Sequence, residues 1–137
     1  MNIRRSARIA YLVILWLFVA CLVVQVFLAG MGVFAGVENF ATHREFAYLF
    51  GWLTLILLAL AIIGRLGRPW IWMSLLIFGL FVLQSVFVAL RDSAPAVAAL
   101  HPVNGFLILL ISISIAQRAR RILRNPAQAT TAEPVAA

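Results

Sequence analysis

The chain has 137 residues, of which 65% are hydrophobic and 11% are charged, and its formal net charge is +7. Soluble globular domains carry about 25% charged residues, so this composition excludes an ordinary soluble domain. All of the basic residues are arginines, and they lie between long apolar segments rather than in one basic patch. The positive charge is therefore not a sign of nucleic-acid binding.

Four stretches contain no Asp, Glu, Lys or Arg, and each is about long enough to cross a bilayer. A helix rises about 1.5 Å per residue, so about 20 apolar residues cross a hydrocarbon core of about 30 Å. None of the stretches alternates with a period of two, which argues against a β-barrel and leaves helices. The charge-free stretches are 9–37 (29 residues), 46–64 (19), 69–90 (22) and 93–117 (25).

The pattern predicts an all-α integral membrane protein with one four-span domain at 1–124. Short connections between the spans make neighbours antiparallel, which gives an up-down four-helix bundle. The tail at 125–137 is Ala, Thr, Gln and Pro with one Glu, and we expect it to be disordered. The predicted spans are about 9–36, 43–64, 69–90 and 97–118.

The arginines predict the orientation of these spans. Nine of them precede the first span, join the second to the third, or follow the fourth, whereas only Arg44 and Arg91 lie in the other two loops. By the positive-inside rule, both termini are cytoplasmic, and the simplest role of the arginine groups is topology and contact with lipid headgroups. We expect the protein in the cytoplasmic (inner) membrane of a bacterium.

The two halves of the chain resemble each other. Gln25 precedes His43 by 18 residues, and Gln84 precedes His101 by 17. Both glutamines lie late in an odd-numbered span, where we expect interhelical hydrogen bonds. The spacing suggests two duplicated hairpins, related by an axis along the membrane normal.

His43 and His101 are the candidate metal ligands. Each opens an even-numbered span, so the topology places both at a similar depth near the outer face. Two imidazoles from separate helices suit the axial positions of a haem iron, here haem b, whereas zinc requires four ligands. Because Pro102 disfavours the helical conformation of His101, unliganded histidines at the interface stay the alternative.

Small residues follow each histidine on the same helix face: Ala47 and Gly51 after His43, and Gly105 after His101. We expect them to leave clearance for a flat macrocycle, with aromatic side chains at its edges. The candidate lining residues are Phe46, Phe50, Trp52 and Phe106.

Arg44 and Arg91 are candidate partners of the two haem propionates. Arg44 adjoins His43, and Arg91 precedes the helix of His101. The alternative is that Arg44 pairs with Glu38 or Glu45 and that Arg91 pairs with Asp92.

His43-Arg44, Gln84 and His101 together resemble one half of haem A synthase, in which each half is a four-helix bundle with histidines on its second and fourth helices. The chain also resembles a family of uncharacterised four-helix bacterial membrane proteins, through 25–30 and 100–105. The resemblance covers roughly 10–120 and implies a haem-binding scaffold. It does not imply hydroxylation, because one half and the paired loop cysteines of many synthases are missing, and the glutamate Glu38 lies further from its histidine.

Two functions follow from these features. The first is a mono-haem b-type cytochrome-like protein in electron transfer or haem handling, with a quinone or another membrane subunit as partner. The second is a structural or accessory subunit of a membrane complex, without a cofactor. Because no nucleophile–base pair or phosphate loop is visible, the sequence does not support a hydrolytic or transferase enzyme.

Overall fold

The first helix, α1 (Ile3–Phe34), begins and ends at residues suited to those positions. A computed structural model describes residues 2–124 of the chain. The Asn2 side chain caps α1 by accepting a hydrogen bond from the Arg4 amide at 3.2 Å. Gly36, with φ of 141°, turns the chain after α1 into a short 3-10 helix, Val37–Asn39.

Four long helices and one short helix account for the fold. After α1 come α2 (Phe40–Ile63), α3 (Arg68–Ala89), the four-residue α4 (Pro95–Ala98) and α5 (Leu100–Arg124). The turn between α2 and α3 uses left-handed backbone at Arg65 (φ 46°) and Gly67 (φ 100°), and Pro69 lies in the first turn of α3. The predicted tail at 125–137 lies outside the described residues.

The four long helices meet in a fixed order. Within the described residues, α1 packs against α2 and α5, α3 packs against the same two helices, and α2 does not approach α5 directly. The helices α2 and α5 are therefore diagonal across the core. His43 lies on α2 and His101 lies on α5. Their imidazoles can therefore meet only in the space between the four helices.

Contacts between helix ends identify which ends lie together. The Arg8 guanidinium donates to the Gly64 carbonyl at 2.9 Å and to the Arg65 carbonyl at 3.2 Å, so the start of α1 meets the end of α2. The Tyr11 hydroxyl lies 3.1 Å from the Ser74 hydroxyl, which donates to the Trp70 carbonyl at 2.9 Å. The start of α3 therefore lies at the same end of the molecule as the start of α1, diagonally across the core.

Large apolar side chains cover the outside of the helices as well as the inside. Phe27, Trp52 and Leu110 are 65%, 68% and 63% exposed, respectively. An aqueous solvent would oppose such a surface, whereas lipid accepts it. All four long helical segments are long and apolar enough to cross a membrane. The chain is thus an all-helical, multi-pass membrane protein.

Helix boundaries extend beyond some of the predicted spans. The helix α1 starts at Ile3 rather than near residue 9, because its arginine side chains can reach an aqueous phase while their backbone stays helical.

Gly32, near the end of α1, is buried and packs against the Phe40 ring, as expected for a packing glycine. Gly36, four residues later, follows the end of the helix.

Candidate functional site

His43 is held in the first turn of α2 by the preceding helix. Its Nδ1 lies 3.1 Å from the Gln25 carbonyl, and the Gln25 amide Nε2 donates to the His43 carbonyl at 2.8 Å. A carbonyl oxygen only accepts hydrogen bonds, so Nδ1 of His43 carries the proton. The Nε2 atom is then the unprotonated nitrogen, with a lone pair available to a metal.

His101 has the same arrangement in the second hairpin. Its Nδ1 lies 3.2 Å from the Gln84 carbonyl, which fixes the same tautomer. The helix α5 begins at Leu100, so His101 is its second residue and is half-buried rather than a solvent-exposed cap. Pro102 is accommodated because amides in the first turn of a helix have no carbonyl partner within the helix.

The two imidazole rings lie next to each other between α2 and α5. Their centroids are 6.2 Å apart and their planes are inclined by 63°. An imidazole nitrogen binds a metal such as zinc at about 2.0–2.1 Å and lies about 1.1 Å from its ring centroid, so two rings on opposite sides of one ion have centroids about 6.3 Å apart. Coordination leaves each ring free to turn about its bond to the metal. The spacing of the two centroids is therefore the spacing that a bis-imidazole site requires.

The donor set of this site is limited to the two imidazoles. Among residues 2–124, no group of three or more His, Cys, Asp or Glu side chains lies close enough to hold a metal ion. A structural zinc site needs four ligands, which two histidines do not provide. A haem brings four equatorial nitrogens of its own and takes axial ligands from the protein, so the donor set fits haem iron.

Asn104 is a buried polar residue that the sequence reasoning missed. It lies one turn after His101, is 6% exposed, and donates through Nδ2 to the Gln84 side-chain oxygen and to the Leu80 carbonyl, both at 2.9 Å. The signal in the sequence was a lone asparagine on the histidine face of an apolar helix. Together, Asn104 and His101 attach α5 to α3 through both the backbone and the side chain of Gln84.

A cluster of phenylalanine rings lies one to two turns beyond the imidazoles, toward the middle of the helices. Phe50 is 4% exposed, and its ring centroid lies 5.6 Å from that of Phe18, 5.2 Å from that of Phe46 and 5.4 Å from that of Phe81. The predicted lining residues Phe46 and Phe50 belong to this cluster. The other two, Trp52 and Phe106, are 68% and 55% exposed and face outward.

The small residues predicted to leave clearance have neighbours in the structure. A Cβ atom on Gly51 would lie 2.7 Å from the Phe81 ring, and one on Gly105 would lie 3.1 Å from the Gln84 amide nitrogen. Ala47 packs against the buried core. Neighbouring side chains therefore approach all three of these small residues.

Arg44 and Arg91, the predicted partners of the propionates, form no hydrogen bond or ion pair with the imidazole pair. Arg91 pairs with Asp92 at 3.4 Å, with both side chains largely exposed, which is the alternative that the sequence left open. Arg44 is also exposed, and within the described residues it forms no ion pair with Glu38 or Glu45. Both guanidiniums are at the surface, where long side chains can reorient at little cost.

Comparison with known proteins adds one family match. Residues 25–90 match the model of DUF6220, a family of unknown function, and the matched region covers just under half of the chain. It contains Gln25, His43 and Gln84 but ends before His101. No curated protein and no solved structure matches the chain.

Proposed function

We propose that this protein is a mono-haem, b-type membrane cytochrome whose iron is held between His43 and His101. The observation that carries the proposal is the pair of imidazoles 6.2 Å apart, each with Nδ1 bonded to a glutamine carbonyl. Metal-ligating histidines commonly donate their second ring N–H to a carbonyl, which orients the ring and increases the basicity of the ligating nitrogen.

The proposed topology is an up-down bundle in a bacterial inner membrane with both termini in the cytoplasm. The uneven distribution of the arginines supports this orientation, because nine of eleven belong to one side. The histidine pair then lies near the outer face. A haem at that depth is too far from the cytoplasmic side to carry electrons across about 30 Å of hydrocarbon by itself.

Bound haem supplies one-electron exchange, and the residues of this chain determine its surroundings. His43 and His101 would be the axial ligands, and the Gln25 and Gln84 carbonyls would hold their rings in orientation. Apolar rings such as Phe40, whose centroid is 6.2 Å from that of His43, would exclude water. Arg44 and Arg91 remain candidates for the propionates, since both are exposed cations near the proposed outer ends of the helices.

The corresponding role is to exchange electrons with a quinone or another membrane subunit, or to hold haem for transfer. With His43 and His101 both holding the iron, the haem would supply one-electron exchange and would leave no open site for an external ligand. We therefore propose a carrier rather than an enzyme.

An absorption spectrum of the detergent-purified protein, produced in cells supplied with haem, is the direct test. We expect about one haem per chain, with a sharp Soret band that shifts on reduction. His43→Ala and His101→Ala should each lower the haem content at least about tenfold. Tyr48→Ala is the matched control, because Tyr48 is on the same helix as His43 and is 64% exposed.

Imidazole in the buffer should restore haem binding to the two alanine variants, since it can occupy the vacated axial position. Circular dichroism should give the same helix content for all variants. A colourless wild-type protein, or alanine variants that keep their haem, would contradict the proposal.

The accessory-subunit function has one specific observation in its favour, namely the Phe81 ring that already covers Gly51. A protein without a cofactor fills its core with its own side chains. This function predicts a colourless protein that co-purifies with a partner in mild detergent, and it predicts that the histidine variants keep that partner.

A further inference from the structure

A groove lies between α1 and α5, at the opposite end of the molecule from the histidines. Its volume is about 330 Å³, and Trp16, Gln117, Arg120 and Arg121 line it. The Trp16 indole is 38% exposed, so its ring is open to an occupant. The groove has no residue in common with the imidazole pair.

The groove has a charged end and an apolar end. Arg120 and Arg121 belong to the last turns of α5, whereas Trp16 lies eight residues inward from Arg8, whose guanidinium marks the end of the helices. Eight residues of helix span about 12 Å, which is about the depth from a headgroup to the first part of an acyl chain. Val13, one turn from Trp16 and 59% exposed, extends the apolar surface.

Among residues 2–124, the arginines at this end of the molecule are not balanced by acidic residues. The chain has four acidic residues. Glu38, Glu45 and Asp92 lie at the same end of the molecule as the histidines, opposite the groove, and Glu133 lies outside the described residues. Within residues 2–124, Arg120 and Arg121 therefore have no carboxylate neighbour. Two guanidiniums that line one groove are suited to a phosphate, which they bind through charge-assisted hydrogen bonds.

We infer that this groove is a binding site for an anionic phospholipid, such as phosphatidylglycerol. The Arg120 and Arg121 guanidiniums bind the phosphate, the Gln117 amide lies at the level of the glycerol esters, and the first part of an acyl chain packs on Trp16. The combination of a basic end and an aromatic end selects a lipid over a free anion, because a free anion gains nothing from the indole ring.

The experiment measures retention of phosphatidylglycerol by the full-length protein in a nonionic detergent, using native mass spectrometry and thermal unfolding. The double variant Arg120→Gln/Arg121→Gln should bind phosphatidylglycerol at least about tenfold more weakly. The matched control is Arg4→Gln/Arg5→Gln, which removes the same charge at the same end but outside the groove, and it should change the affinity less than about twofold.

Two further arms identify the ligand. Phosphatidylcholine has the same acyl chains without net charge, and inorganic phosphate has the charge without the chains; neither should raise the unfolding temperature. Trp16→Ala should weaken binding of phosphatidylglycerol, whereas Trp16→Phe should preserve it. An equal loss in both arginine double variants, equal binding of phosphatidylcholine, or stabilisation by phosphate alone would overturn the inference. None of these measurements depends on haem.

Discussion

The two hairpins that carry the histidines agree in one contact and differ in the contacts around it. In both, the imidazole Nδ1 bonds to the backbone carbonyl of a glutamine on the preceding helix, at 3.1 Å for His43 and 3.2 Å for His101. The glutamine side chains are used differently. Gln25 donates to the His43 carbonyl and leaves its own Oε1 buried without a partner in the described residues, whereas Gln84 accepts from Asn104.

The comparison indicates that the ring-to-carbonyl contact orients both imidazoles, whereas the contacts of the glutamine side chains can differ. A bond from the ring to a backbone carbonyl depends only on the position of two helices, so both hairpins can form it with different neighbouring side chains. The residue three positions after the histidine is Phe46 in the first hairpin and Asn104 in the second. The shared contact supports the predicted duplication, and the unshared ones define where the halves can be tested separately.

The largest loss of stability is expected when Gly51 of the first hairpin is replaced by leucine, the residue at the corresponding position of the second hairpin. Gly51 follows His43 by eight positions, and Leu109 follows His101 by eight. Gly51→Leu forces its side chain into Phe81, which the ring of Phe50 already contacts at 5.4 Å. Overpacking of this kind lowers the free energy of unfolding by about 1–3 kcal/mol.

Gly79→Leu is the matched control for Gly51→Leu, because a Cβ atom at Gly79 meets no other atom within 4 Å. This control should be neutral, or stabilising by up to about 0.8 kcal/mol through helix propensity. Unfolding by sodium dodecyl sulfate in mixed micelles gives both values. Equal stability of the two leucine variants would mean that the phenylalanine cluster is loosely packed.

A smaller effect is expected from the polar contact that only the second hairpin has. Asn104→Leu removes both hydrogen bonds of the Nδ2 group and leaves the Gln84 oxygen without its donor. Interhelical hydrogen bonds in membranes contribute about 0.6 kcal/mol on average and up to about 1.7 kcal/mol. The free energy of unfolding should therefore fall by about 0.6–1.7 kcal/mol in Asn104→Leu.

A double-mutant cycle with Gln84→Leu should assign most of the Asn104 effect to the Asn104–Gln84 pair. Ser114→Ala on the same helix is the control, because the Ser114 hydroxyl is exposed and bonds only to the Leu110 carbonyl within its own helix. A coupling energy near zero would indicate that Asn104 acts through the Leu80 carbonyl instead.

The sequence predicted the helices and a pair of histidines at one level. It did not predict how neighbouring side chains pack around that pair. Charge-free length is sufficient to locate a span, and loop polarity is sufficient to bring His43 and His101 to one level. The glutamines were expected to form interhelical hydrogen bonds, and this prediction is confirmed for Gln25 and Gln84. Haem ligation, the propionate partners and the orientation in the membrane stay predictions.

The clearance at the glycines could not be read from spacing, because it depends on a side chain from another helix. Gly51 lacks a side chain, but Phe81 on α3 reaches into the vacated volume. Helix periodicity identifies which residues share a face of one helix; it does not identify which neighbour fills the space opposite. Asn104 was missed for a similar reason, since its importance depends on the position of Gln84.

The smallest change in the free energy of unfolding is expected for Gln25→Leu, because the substitution removes one favourable and one unfavourable contribution. Gln25→Leu removes the bond from Nε2 to the His43 carbonyl, but that carbonyl also lies in a helix and retains a backbone donor. The same change removes the buried Oε1, whose desolvation without a partner costs about 1–3 kcal/mol. The free energy of unfolding should therefore change by less than about 0.5 kcal/mol, and by less than in Gln84→Leu.

The measurement for Gln25 is the same detergent unfolding, carried out on protein with and without haem. Because the Gln25 backbone carbonyl is unchanged, His43 keeps its Nδ1 contact and the haem content should stay close to that of the wild type. A loss above about 1.5 kcal/mol that appears only in the haem-loaded protein would mean that Oε1 has a donor there which the chain itself does not provide. In that case the first hairpin would satisfy Oε1 only in the haem-loaded protein, through a donor such as an ordered water, whereas Asn104 satisfies the corresponding oxygen of the second hairpin.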